Sequence, residues 1–70
     1  MNNLRKIREK RKVKMEQLAL NVGCTANYIS LLEREEKTPG LKLAFRLAKE
    51  LGTTVDNLFG ELMEKTNGEK

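Results

Sequence analysis

Apolar residues recur along this chain every three or four positions, the spacing that places them on one face of an α-helix. The most regular stripe consists of Met15, Leu18, Ala19 and Val22. The same spacing predicts helices over residues 3–11, 15–22, 26–34 and 41–51, and a short last helix that begins after Thr54. No segment keeps the alternating pattern of a β-strand. The pattern therefore predicts an all-α domain of five short helices.

Residues with special backbone preferences separate the predicted helices. Gly23 and Gly52 each follow an apolar stripe and are expected to end a helix. The N-cap candidates are Asn2 or Asn3, Thr25 and Thr54. The loop before the fourth helix contains Thr38-Pro39-Gly40. Besides the stripe of the second helix, the expected core consists of Leu4, Ile7, Ile29, Leu32, Leu41, Ala44, Leu47, Ala48, Leu51, Val55, Leu58 and Phe59.

Length and composition restrict the classes of protein that this chain can be. With 70 residues it forms one small domain, which we expect over residues 1–63, before a polar tail, residues 64–70, that frays. There is no histidine, and the single Cys24 is expected to be a small core residue rather than a redox sensor. A metal site, a Ser-His-Asp triad and an internal disulfide are therefore not expected. No stretch resembles a signal peptide or a membrane span, so we expect a cytoplasmic protein.

Positive charge is concentrated at the start of the chain. The net charge is +4, yet residues 1–14 contain seven Lys and Arg residues and one Glu, whereas the rest of the chain contains seven cations and nine acids. A basic end on a small domain is typical of proteins that bind a polyanion such as DNA. The alternative is a solvated helix face that only keeps the protein soluble.

The second and third predicted helices form a functional motif. They are short, a tight turn at Gly23 joins them, and the outer side of the third helix carries Asn27, Tyr28 and Leu31 rather than core residues. This is the helix-turn-helix arrangement, in which the first helix supports a second that can enter the major groove of DNA. The expected recognition helix covers residues 26–34.

Six motifs follow one another along the chain: Met15-Glu16-Gln17-Leu18-Ala19, Gly23-Cys24-Thr25-Ala26-Asn27-Tyr28-Ile29-Ser30, Leu32-Glu33-Arg34, Pro39, Leu47-Ala48-Lys49-Glu50-Leu51-Gly52 and Val55-Asp56-Asn57-Leu58-Phe59. In this order and spacing they resemble the lambda-repressor-like (Cro/Xre-type) family of helix-turn-helix regulators. The resemblance covers roughly residues 3–60. It implies a five-helix domain that binds an inverted-repeat operator as a homodimer and regulates transcription, more often as a repressor.

Four positions depart from the pattern of that family. Lys14 stands where Ser or Thr usually caps the second helix, and an ammonium group cannot accept the hydrogen bond of an amide. Met15 stands where a DNA-contacting Gln is common. Lys12 and Glu35 stand where Gly is frequent, so we expect both residues at positive φ, at a cost of roughly 1 kcal/mol each relative to Gly.

Individual side chains then receive expected roles in DNA binding. An Asn amide can bond adenine at N6 and N7, and an apolar side chain can contact the methyl group of thymine. The expected base contacts are Ala26, Asn27 and Leu31, although Leu31 could equally be an incidental exposed leucine. Tyr28 either contacts the sugar-phosphate backbone or packs against the first helix. The expected backbone contacts are Lys14, Met15, Glu16, Thr25, Tyr28, Arg34, Lys37 and Thr38, with Met15 and Glu16 acting through their amides and Thr25 mainly as a cap.

The resemblance also implies an ion pair between Arg8 and Glu33, which would fix the orientation of the recognition helix. A homodimer interface is expected where apolar residues exceed what a small core needs. The apolar residues of the fourth helix span a wider arc than a small core on one side can cover, which leaves either Leu43 or Phe45 exposed. Leu62 and Met63 are expected to add to this surface.

Three other functions compete with DNA-binding regulation. An antitoxin-like module that neutralises a partner protein would usually carry a longer C-terminal arm than the ten or so residues after the last helix. A membrane-surface peptide needs a bulky apolar face, and Leu4 with Ile7 is too little. An enzyme needs a nucleophile with its base or a pair of carboxylates in a cleft, and neither is evident. We therefore expect no catalytic residue, no cofactor and no small-molecule ligand, with double-stranded DNA and a second copy of the chain as partners.

Overall fold

The computed structural model describes residues 2–60 of the chain. It contains five α-helices: α1 (Leu4–Lys10), α2 (Met15–Val22), α3 (Ala26–Glu33), α4 (Leu41–Glu50) and α5 (Val55–Phe59). No strand occurs between residues 2 and 60, so the all-α prediction is confirmed. The bounds predicted for the first four helices agree with the structure to within one residue at each end. None of the helices in this part of the chain is long and apolar enough to span a membrane.

One apolar core holds the five helices together. α2 packs against α3 and α4, while α1 packs against α3 and α5, and α5 also packs against α4. The buried residues are Leu4, Leu18, Ala19, Val22, Ile29, Leu32, Ala44, Leu47, Ala48, Leu51, Leu58 and Phe59. Ile7, Met15 and Val55 are partly buried against this cluster, at the edges of the predicted stripes.

The prediction that Leu41 belongs to the core is wrong, because 51% of this residue is exposed. Leu41 shares a helical stripe with Ala44 and Ala48, but it is the first residue of α4. The chain reaches α4 from an exposed loop, and Gly40 and Lys42 on either side of Leu41 are exposed as well. Leu41 therefore lies at the surface, although Pro39 before it and Ala44 after it are buried.

The predicted threonine caps of α3 and α5 are present. Of the two candidates at the start of α1, Asn3 occupies the N-cap position without a side-chain hydrogen bond, and Asn2 accepts the Leu4 N–H. Thr25 accepts a hydrogen bond from the Tyr28 N–H at 3.0 Å, and Thr54 accepts one from the Asn57 N–H at 3.1 Å. Lys14 occupies the N-cap position of α2 and supplies no side-chain cap, as its chemistry requires. Lys12 has φ 60° and Glu35 has φ 63°, which confirms the expectation of left-handed backbone at both positions.

Candidate nucleic-acid interface

The turn between α2 and α3 is closed by backbone hydrogen bonds. Gly23 has φ 84°, a left-handed conformation that glycine adopts without steric cost. The N–H groups of Gly23 and Cys24 both donate to the carbonyl of Ala19, at 2.8 and 2.9 Å. Thr25 then begins α3 as its N-cap. The direction of α3 relative to α2 is thereby fixed by local geometry.

Helix α3 has a core side and an outer side. Ile29 and Leu32 are fully buried, whereas Asn27 is exposed and Ala26 and Leu31 are partly buried. We call Ala26, Asn27 and Leu31 the reading face. These side chains are not needed to fill the core, so they are available to an external ligand.

The ion pair between Arg8 of α1 and Glu33 of α3 is present. Arg8 Nε lies 2.6 Å from Glu33 Oε2, and the two side chains are only 11% and 7% exposed. The second arm of the guanidinium reaches Glu33 Oε1 at 3.4 Å, and Nη1 donates to the carbonyl of Val13 at 2.9 Å. Arg8 therefore connects the last turn of α3 to α1 and to the segment between α1 and α2.

A second polar connection at the end of α3 was not anticipated by the sequence. The side chain of Asn2 donates from Nδ2 to the carbonyl of Leu32 at 2.8 Å and accepts the Leu4 N–H at Oδ1 at 3.1 Å. The backbone N–H of Asn2 donates to the carboxylate of Glu35. One amide side chain thus connects the start of α1 to the end of α3, which helps to hold α3 in place.

The residues expected near phosphates differ in their surroundings. Lys14, Glu16, Lys37 and Thr38 are exposed, and buried Pro39 anchors the loop that carries the last two. Met15 and Tyr28 are partly buried against the core. Much of the Tyr28 ring is therefore used in packing. Thr25 is exposed, but its hydroxyl oxygen is already the cap of α3. Arg34 Nη1 pairs with Glu36 Oε2 at 2.9 Å, and both side chains are about half exposed.

Two further exposed cations border the expected contacts along the chain, although they were not among the predicted contacts. Lys12 lies exposed in the left-handed turn before α2, and Lys42 lies exposed in the first turn of α4. Lys42 follows Lys37 by five positions across the loop, and this proximity to the loop is the signal that could have identified it.

The sequence left open whether Leu43 or Phe45, on opposite sides of the apolar stripe of α4, is exposed. Phe45 is 59% exposed, one helical turn from the exposed Leu41. Leu43, on the opposite flank, is partly buried against the core. The other two residues expected at the interface, Leu62 and Met63, lie outside the described residues. The exposed flank that a partner could cover is therefore Leu41 with Phe45.

The single thiol is part of the packing around the turn. Cys24 is partly buried against the core, and this burial raises the pKa of its thiol. Among residues 2–60, no group of three or more potential metal ligands lies close together.

Comparison with known proteins agrees with this geometry. The helix-turn-helix family matches residues 4–58, which run from the first residue of α1 into α5. An uncharacterized HTH-type transcriptional regulator of Methanocaldococcus jannaschii is 33% identical over 58 residues, which are 83% of this chain and 88% of the relative. The chain belongs to the helix-turn-helix family.

Proposed function

We propose that the chain is a sequence-specific regulator of transcription, a repressor, that acts in the cytoplasm as a homodimer on an inverted-repeat operator. Family membership and the name of the relative from Methanocaldococcus jannaschii support a DNA-binding regulator rather than an enzyme. The observation that carries the proposal is the division of α3 into a firmly held core side and a free reading face.

In the proposed complex, α3 lies in the major groove with its first residues closest to the bases. Asn27 is exposed near that end and can bond an adenine, while Leu31 follows one turn later. The core side of α3 cannot shift freely, because Arg8 and Asn2 bind its last turn. A helix held in this way loses little freedom on binding, which favours affinity.

Phosphate contacts on both sides of α3 would position the domain along the duplex. The first amides of α2 receive no side-chain cap from Lys14, so they remain donors for a phosphate oxygen, next to the exposed ammonium group of that lysine. On the other side of α3, Lys37 and Thr38 stand exposed on the loop that Pro39 anchors. Tyr28 and Arg34 are proposed as additional backbone contacts.

A two-fold axis beside the exposed flank of α4 would produce the dimer. Leu41 and Phe45 bring apolar surface to the first half of α4, directly after the loop that follows α3. A partner copy that covers this flank would hold two recognition helices on the same side of the duplex, about 34–36 Å apart. Repression needs only occupancy, because a bound dimer excludes other proteins from the same DNA.

Selection of bound duplexes from a random pool tests the proposal. We expect enrichment of an inverted repeat whose half-sites are one helical turn apart. Affinity for the selected duplex should fall steeply with salt, because each neutralised phosphate releases counterions. Binding that stays equal for all duplexes after several rounds would contradict specific regulation. Enrichment of a single half-site with no spacing preference would contradict the dimer.

A further inference from the structure

We propose that the base pairs contacted by α3 are A·T pairs. The two charged side chains at the end of α3, Glu33 and Arg34, do not contact bases in this proposal. This inference rests on the proposed function, since it requires α3 to enter the major groove. It concerns only the base pairs that α3 contacts and leaves the rest of the operator open.

The reading face carries side chains that suit adenine and thymine. An Asn amide matches the N7 acceptor and N6 donor of adenine, and apolar groups match the C5 methyl of thymine. Asn27 is exposed, and Leu31 and Ala26 are partly exposed beside it. A bidentate contact from Asn27 would discriminate against the wrong base roughly 5- to 150-fold. Contact with one methyl group would contribute about fourfold.

Recognition of guanine in the major groove normally uses Arg or Lys, which donate to O6 and N7. Helix α3 contains neither within Ala26–Glu33. The cation at its end is Arg34, which occupies the C-cap position and pairs with Glu36 at 2.9 Å. An exposed ion pair is weak, so position is the stronger reason: the first residues of a recognition helix approach the bases, and Arg34 follows its last turn. Arg34 is therefore placed for a phosphate.

Recognition of cytosine normally uses a carboxylate that accepts from N4. The carboxylate of α3 is Glu33, which is only 7% exposed and is bound by both arms of Arg8. To reach a base, Glu33 would have to break this ion pair. Arg8 would then carry a charge without a partner in a partly buried position, which is strongly unfavourable. Ser30 carries a hydroxyl, which accepts from or donates to any base and selects none.

The experiment uses the full chain and the duplex that it selects, with single-atom changes in the bases. Deoxyuridine in place of thymidine removes the C5 methyl, and 7-deazaadenine removes N7. We expect one thymine position at which deoxyuridine lowers affinity about fourfold. We also expect one adenine position at which the deaza base lowers it roughly 3- to 10-fold.

Variants assign these losses to side chains. In Asn27→Ala the deaza base should cause no further loss, and in Leu31→Ser the deoxyuridine should cause none. Each variant serves as the control for the other, since each should keep the response that the other loses. Their melting temperatures and helical circular dichroism should stay close to those of the wild type, because both side chains are outside the buried core.

Glu36→Gln tests most sharply whether Arg34 contacts bases. It removes a negative charge near the DNA and releases Arg34, so we expect tighter binding to every duplex by a similar factor and an unchanged preference for A·T. A selected half-site with a G·C pair whose preference disappears in Arg34→Ala or Asn27→Ala would overturn the inference. Absence of any selected sequence would instead contradict the proposed function, so the two failures are distinguishable.

Discussion

Asn2 donates its backbone N–H to the carboxylate of Glu35, so the left-handed residue two positions after α3 also holds a residue two positions before α1. A left-handed conformation costs a non-glycine residue roughly 1 kcal/mol. A hydrogen bond to a charged group contributes a similar amount or somewhat more. The contact can therefore offset the backbone strain at Glu35, and glycine could not form it.

Glycine substitutions at the two left-handed positions should consequently differ. We expect Lys12→Gly to raise the free energy of unfolding by about 0.5 kcal/mol, since relief of strain exceeds the entropic cost of glycine. Glu35→Gly should gain less, because it also removes the acceptor for Asn2. Urea denaturation measures both. Lys6→Gly, at an exposed position inside α1, is the control and should lose about 1 kcal/mol. A loss in Lys12→Gly would contradict the argument.

Removal of one partner from the buried ion pair should destabilise the domain. Glu33→Gln leaves Arg8 without its charge partner, and Arg8→Met removes in addition the bond to the Val13 carbonyl. We expect a loss of about 2 kcal/mol for Glu33→Gln and a larger loss for Arg8→Met. Arg5→Met is the matched control, because the Arg5–Glu9 pair is exposed and should contribute nothing measurable. Equal unfolding midpoints for Arg8→Met and Arg5→Met would contradict the role assigned to Arg8.

Lys37→Ala should weaken binding to all duplexes by a similar factor, because a phosphate contact carries no base preference. The slope of log affinity against log salt should become shallower by about one per subunit. Lys49→Ala, which removes the same charge in the last turn of α4, controls for the change in net charge. A change in the preferred sequence in Lys37→Ala would mean that this lysine reads bases.

The exposed flank of α4 predicts how the dimer can be broken. Phe45→Glu should shift sedimentation equilibrium at micromolar concentration from dimer to monomer, since it places a charge in the proposed apolar contact. Monomer stability should change little, because Phe45 is 59% exposed. Leu20→Glu on α2 is the control, since Leu20 is 75% exposed and lies outside the proposed interface. Dissociation by both variants, or by neither, would place the interface elsewhere.

Burial of Cys24 predicts slow reaction of its thiol. The raised pKa lowers the fraction of reactive thiolate near pH 8, so the native protein should react with iodoacetamide more slowly than the urea-unfolded chain. The pKa of the Cys24 thiol is higher in the folded state than in the unfolded state. Its contribution to stability is therefore fully present below the unfolded pKa and is lost as the pH rises through the folded pKa. Cys24→Val should therefore lose less stability than the wild type at alkaline pH. Equal alkylation rates in both states would show that the thiol is not shielded.

The helices were predictable because local signals and apolar spacing agree. α2 has the predicted bounds, since Lys14 is extended before it and Gly23 turns left-handed after it. The prediction that Leu41 is buried was wrong, and the spacing of apolar residues could not have shown this. A helical stripe indicates which side of α4 faces the core but not whether a neighbouring element covers each residue of that side.

The outward position of Asn27 on α3 was predictable from the same periodicity, but not all of the contacts that hold α3 were. The Arg8–Glu33 pair was implied by resemblance to a family, whereas the contact of Asn2 with Leu32 links residues thirty positions apart through a backbone carbonyl. No sequence pattern marks such an acceptor. The choice between Leu43 and Phe45 also depended on how the helices pack, because both residues border the same stripe of α4.

The hydrogen bond from the Asn3 N–H to the Leu58 carbonyl, at 2.8 Å, has a consequence for biosynthesis. Among the five described helices, α1 packs against α3 and α5, so this helix depends for part of its burial on a helix that is translated much later. A nascent chain that ends before α5 leaves α1 without its contacts to α5, and the Asn3 hydrogen bond is not formed. Acquisition of the native state is therefore postponed until almost the whole domain has been synthesised, and DNA binding begins only after that point.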